Sequence, residues 1–99
     1  MKILVSESAF TDLENIIGYY KEQDIPNIGT ETVSAIIDHV QVLMKHPEIG
    51  KKVPEFNDEH IREIIHPPYR IVYLKETKTV QIIRVWRSER ILKLPDNET

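Results

Sequence analysis

The chain contains no cysteine, which removes disulfide frameworks and thiolate metal sites from consideration. Long apolar runs are missing too, so no segment is expected to span a bilayer. The opening MKILVSES has one lysine but too short an apolar stretch for a secretory signal. The cytoplasm is therefore the expected compartment. Repeats and low-complexity tracts are absent. Arginine does not occur before residue 62: all five (Arg62, Arg70, Arg84, Arg87, Arg90) fall in the last forty residues.

What remains is ordinary for a globular domain. A chain of 99 residues that is 40% apolar and 29% charged supports one modest core. Residues 1–94 are expected to form a single domain and residues 95–99 a frayed polar tail. The net charge of −3 hides an uneven distribution. Residues 1–49 sum to −5, residues 50–94 to +4, and the last five to −2. Direct binding to nucleic acid is not expected from that total, but a local acidic partner suits the basic half.

The hydrophobic period changes along the chain. KILVS (residues 2–6) is a short β-prone run ending at serines able to cap a helix. Phe10, Leu13, Ile16, Ile17 and Tyr20 recur at helical spacing. That helix should fade near Lys21 to Asp24, before Pro26. Val33, Ile36, Ile37, Val40, Leu43 and Met44 mark a second helix, from about Pro26–Thr30 to His46-Pro47. The short connection predicts an antiparallel hairpin. Residues 47–60 read as loop. IREIIH, YRIVYLK and TVQIIRVWR follow as strands, separated by Pro67-Pro68 and by a turn at Glu76-Thr77-Lys78. The order β-α-α-β-β-β predicts an α+β fold: two layers, an antiparallel sheet with the helical hairpin packed on one face. The other face must be covered by something else or stay wet.

Alternation along strands turns position into direction. It sets Arg70 apart from Tyr69, Ile71 and Tyr73, and groups Arg87 with Gln81, Ile83 and Val85. A charged side chain is poorly placed beneath helices. Arg70 and Arg87 are thus expected to emerge together on the open face, with Arg62 nearby. The alternative is a strand charge paired with Glu63 or Glu89. On the first reading, Arg70→Ala leaves the fold intact.

The ordered set of segments resembles the RelE/ParE superfamily of type II toxin–antitoxin modules, over nearly the whole chain. Ser6-Glu7-Ser8-Ala9 leading to Asp12-Leu13 is similar to the family's opening passage, and His46-Pro47-Glu48-Ile49-Gly50 to the exit from its second helix. Ile61-Arg62-Glu63-Ile64, Tyr69-Arg70-Ile71-Val72-Tyr73 and Ile82-Ile83-Arg84-Val85 resemble its strand core. Arg87-Ser88-Glu89-Arg90 stands where the family has a basic ending. The resemblance implies a toxin neutralised by a cognate antitoxin in a toxin–antitoxin hetero-oligomer, with no cofactor and no metal. Acidic groups of the antitoxin would meet Arg62, Arg70, Arg87 and Arg90, with Trp86 and Tyr19 as further contacts.

Two activities compete within that superfamily: inhibition of DNA gyrase, as in ParE-like members, and ribosome-dependent cleavage of messenger RNA, as in RelE-like members. Metal-free cleavage of RNA needs a stabilised phosphate, an acid and a base. Arg70 and Arg87 would supply charge and His66 is the nearest imidazole. Residues 88–99, however, contain neither tyrosine nor histidine. His39, His46 and His60 show no partner spacing. Trp86 would stack on a base or serve the core or the antitoxin contact instead. Tyr19 and Tyr20 are adjacent on one helix, so both cannot face the core. The gyrase-directed reading is preferred, with a non-toxic antitoxin-binding member as a third class.

Overall fold

The computed structural model describes residues 1–88. Arg90 and the tail expected at 95–99 lie outside the described residues. Seven elements follow in chain order. They are β1 (Lys2–Val5), α1 (Glu7–Glu22), α2 (Pro26–Val40), β2 (Lys51–Lys52), β3 (Ile61–His66), β4 (Tyr69–Lys75) and β5 (Thr79–Arg87), with a 3₁₀ turn at Gln41–Met44 after α2. Among the described residues no helix is long and apolar enough to cross a membrane.

Ser6 makes the first junction. Its backbone N–H donates to the Ile82 carbonyl, extending the β1–β5 ladder. Its hydroxyl accepts from Ala9 N–H and donates to the Ile83 carbonyl, so one residue ends a strand and caps a helix. The α1 chain then reverses over three residues. Asp24 takes the left-handed conformation (φ 67°), Ile25 N–H reaches back to the Tyr20 carbonyl, and Pro26 opens α2. Gly29 lets the two helices approach closely: a Cβ there would lie 3.2 Å from the backbone of Ile17.

The α+β architecture and its β-α-α-β-β-β order are as expected, but the sheet is mixed. Its five strands run β1-β5-β4-β3-β2, and β1 pairs parallel with β5. The helical hairpin and the strands β2–β4, which lie between β1 and β5 in the chain, leave room for a parallel return, and a strand of four residues carries no signal of its partner's direction. The two-residue β2 lies inside the stretch read as loop, where Lys51 and Lys52 pair with Glu63 and Arg62.

One face of the sheet supports the core. Ile64, Tyr69, Ile71, Tyr73, Val80, Ile82 and Val85 pack against Ala9, Ile16, Ile36, Val40 and Leu43. Each fully buried aliphatic side chain stabilises the fold by about 1.5–3 kcal/mol. Val80, Ile82 and Val85 share this face because of an irregularity. Val72 pairs with Arg84 but Tyr73 pairs with Ile82, so Ile83 is skipped as a bulge. The bulge shifts β5 by one residue, which strict alternation had not allowed for.

The opposite face is not wet. Residues 53–60 fold across it as a strap whose Val53 is fully buried, as is Val72 on the sheet. Gly50 precedes the strap at a point with no room for a side chain. A Cβ there would meet both the Glu63 carbonyl and the Tyr73 hydroxyl at 2.6 Å. That hydroxyl accepts from Gly50 N–H and donates to the Pro47 carbonyl.

Candidate functional site

Register decides where each arginine stands. Arg70 is opposite Trp86, whereas Arg87 is opposite Tyr69. The two arginines therefore leave opposite faces of the sheet, which corrects the expectation that they emerge together. Arg70 lies beneath the strap with Trp86. Arg87 lies on the helix side and is exposed, its guanidinium 5.5 Å from the centre of the Tyr69 ring.

Arg70 is not displayed: it is 4% exposed. Its Nε donates to Glu63 Oε1 at 2.6 Å, and its two terminal nitrogens donate to the two oxygens of Glu55 at 2.9 Å each. Glu63 is as buried as Arg70, while half of the Glu55 side chain is exposed. A guanidinium fork held by two carboxylates stays charged, and the Glu55 contact raises Arg70 above its ordinary value. The reading in which Arg70 pairs with Glu63 is the one the fold adopts. Glu55 is a second partner that the sequence did not reveal, coming from a loop without hydrophobic period.

Trp86 completes the cluster. Phe56 of the strap stacks on it at 6.1 Å, nearly parallel at 13°. The guanidiniums of Arg70 and Arg84 each lie 5.4 Å from its ring centre. Arg84 in turn makes a two-point contact with Asp12 at 2.8 and 3.0 Å. The same Asp12 accepts from Val85 N–H, satisfying a backbone donor on the part of β5 that runs beyond β1. Arg62 is half-buried on the helix side, opposite Tyr73. Its Nη1 donates to the Gly50 carbonyl at 2.9 Å.

A cleft of about 400 Å³ opens between α1 and the end of β5, lined by Asp12, Asn15, Ile16, Tyr19, Tyr69, Val85 and Arg87. Tyr19 is half exposed here and meets Tyr20 edge to face at 5.0 Å. Burial raises the Tyr69 hydroxyl above its ordinary value. The residues expected to meet a partner are thus divided. Arg87 and Tyr19 share this cleft, while Arg70 and Trp86 are covered by the strap. Arg62 packs against the Gly50 backbone.

His66, the imidazole nearest Arg70 in sequence, faces away from it. It stands opposite Tyr69, and its Nδ1 lies 2.9 Å from Nδ1 of His39 on α2. Burial and the His39 ring lower its tendency to bind a proton. Among the described residues no group of three or more His, Cys, Asp or Glu side chains is arranged to hold a metal.

Comparison with known proteins gives the family of the chain. The family model that matches, over residues 3–92, is the ParE toxin of the type II toxin–antitoxin system parDE. The chain belongs to the ParE toxin family. A chain of the solved chromosomal ParDE system from P. aeruginosa shares the fold, with a TM-score of 0.72 and 22% identity over 88% of this chain and 95% of that one. No curated protein matches the sequence. Membership of the ParE family implies an antitoxin partner.

The Arg70 cluster generates two predictions for this ParE-family chain. Arg70→Ala should destabilise the fold by about 3–5 kcal/mol, because it strands Glu63 as a buried unpaired charge. Denaturant unfolding measures this, and a loss below about 1 kcal/mol would contradict the buried pairing. The second concerns pH. Hydrogen bonds from Arg70 hold the Glu55 carboxyl at about 2, below the ordinary 4.5. A depressed folded-state value means that the contact stabilises above pH 4.5 and loses its contribution as pH falls toward 2. Exposure of Glu55 screens the pair, so the contribution is about 1 kcal/mol. Glu55→Gln should be less stable than the parent at neutral pH, and the difference should close in acid. A difference that does not change with pH would contradict the assignment.

Proposed function

We propose that this chain is a gyrase-directed toxin, neutralised by its cognate antitoxin in a toxin–antitoxin hetero-oligomer. The observation that carries this reading is the closed Arg70 cluster in a ParE-family chain. A nuclease needs a guanidinium turned toward a phosphate whose charge rises during cleavage. Here the three nitrogens of Arg70 are directed to Glu63 and Glu55, and Trp86 is stacked under Phe56. His66, the imidazole that would serve as acid or base, is turned toward His39. These contacts favour a toxin that acts by binding.

The α1–β5 cleft is the surface that suits a partner chain. It combines Tyr19, an amphipathic aromatic of the kind enriched at interfaces, with the exposed guanidinium of Arg87. An antitoxin segment that orders on binding would bring acidic groups to Arg87 and an apolar side chain between Tyr19 and Tyr69.

The test is expression of the chain with and without its antitoxin. Gyrase should stall and a DNA-damage response follow, with messenger RNA intact and growth restored by the antitoxin. Cleaved messenger RNA in ribosome-bound fractions, with gyrase unaffected, would favour the RelE-like ribonuclease instead. Harmless expression with tight antitoxin binding would mark a non-toxic member.

A further inference from the structure

The edge of a sheet is a row of unpaired backbone groups, and proteins guard it against pairing with other chains. Among the described residues three stretches of edge can be compared. The outer strand β2 has two residues, both lysine. Where β5 runs beyond β1, Asp12 accepts from Val85 N–H. The free side of β1 has no such guard. It is a strand of four residues, Lys2–Val5, whose ladder to β5 contains no bulge. Lys2 and Ser6 direct their N–H groups inward, to the carbonyls of Lys78 and Ile82. Backbone groups alternate in direction along a paired strand, so those of Ile3 and Val5 point outward.

The side chains beside this edge are apolar on both faces of the sheet. Leu4 stands opposite Gln81, on the face away from the helices. On the helix side Val5 joins Met1, Phe10, Ile37 and Met44 around a groove of about 650 Å³. All six side chains are exposed, Phe10 by 57%. A contiguous apolar surface of this kind marks an interaction site. None of the groove's residues lines the α1–β5 cleft.

We propose that this edge is the interface with a second copy of the chain. The two β1 strands pair antiparallel across a two-fold axis and join both five-stranded sheets into one. Ile3 of each copy faces Val5 of the other, which pairs the outward N–H and C=O groups of both residues. Leu4 meets its own symmetry mate on the axis, and the apolar grooves meet on the helix side. Charge selects this register. Lys2 comes opposite Ser6 of the second copy and beside its Glu7, whereas a slip of two residues would set Lys2 against Leu4. The contact is isologous, so one complementary pair of ends is used twice. An acidic segment of an antitoxin suits the cationic α1–β5 cleft, not an edge where Lys2 and Glu7 cancel. The dimer therefore leaves the cleft of each copy free, and it does not rest on the gyrase reading.

Sedimentation equilibrium of the full-length, untagged chain tests the contact. A concentration-dependent equilibrium between monomer and dimer is expected. Leu4→Arg, which sets two cations against each other on the axis, should weaken dimerisation roughly tenfold or more. Lys2→Glu should weaken it about threefold or more by facing Glu7, and adding Glu7→Lys should restore the parent value. A chain that stays monomeric at every soluble concentration would overturn the proposal, as would a dimer indifferent to Leu4→Arg. Hydrogen exchange on the parent protein does not depend on how the variants fold. The N–H groups of Ile3 and Val5 should gain protection as concentration rises, while that of Ser6, already bonded to Ile82, stays protected throughout. Protection of Ile3 and Val5 that appears only on adding the antitoxin would assign the edge to the antitoxin and overturn the second copy.

Discussion

Arg70 sits almost wholly out of water between two carboxylates of its own chain, one from the neighbouring strand and one from the strap that crosses the sheet. Replacing such a cluster with apolar side chains of similar volume is often neutral for stability, whereas removing one member leaves an uncompensated buried charge. The cluster is therefore better understood as a constraint on geometry than as a source of net stabilisation. It fixes the strap to β4, brings Phe56 onto Trp86 and closes the face that the helices leave uncovered. In doing so it turns the arginine best placed by sequence for phosphate chemistry into an internal fastening.

A second carboxylate governs the opposite edge. Asp12 satisfies both Arg84 and the backbone of Val85 where β5 extends past β1. This seats α1 against β5 and forms one wall of the cleft that contains Tyr19, Tyr69 and Arg87. The bulge at Ile83 completes the arrangement, since it puts Val85 and Arg87 on the helix side with Val80 and Ile82. Burial of Arg70 and exposure of Arg87 follow from ordinary demands on a thin two-layer fold. The fold thereby carries an aromatic and cationic cleft beside the first helix.

Much of this was legible in the sequence. Helical periods placed α1 and α2, Pro26 marked the start of the second helix, and the runs rich in Ile, Val and Tyr coincided with β3, β4 and β5. The cap at Ser6 was visible because a short hydroxyl side chain preceded an apolar period. Other features depended on contacts distant in sequence. Nothing in KILVS specifies a parallel partner, and a bulge moves β5 by one residue without leaving a mark in composition. Glu55 lies in an aperiodic segment between Pro54 and Phe56, so its pairing with Arg70 is visible only once the strap is folded. An arginine flanked by buried strand residues requires carboxylates of its own, and Glu63 on the preceding strand was within reach. His39 and His66, 27 residues apart, illustrate the same limit of local spacing.

The central claim is that Arg70 and Glu63 are energetically one unit inside the protein. A double-mutant cycle on this pair, replacing each singly and both together with methionine, measures that coupling directly in denaturant unfolding. A coupling free energy of about 2 kcal/mol or more, with the double variant more stable than either single one, is the result expected of a buried pair. Additive effects with coupling near zero would mean that the guanidinium is not committed to its own chain, and the closed-cluster account would be wrong.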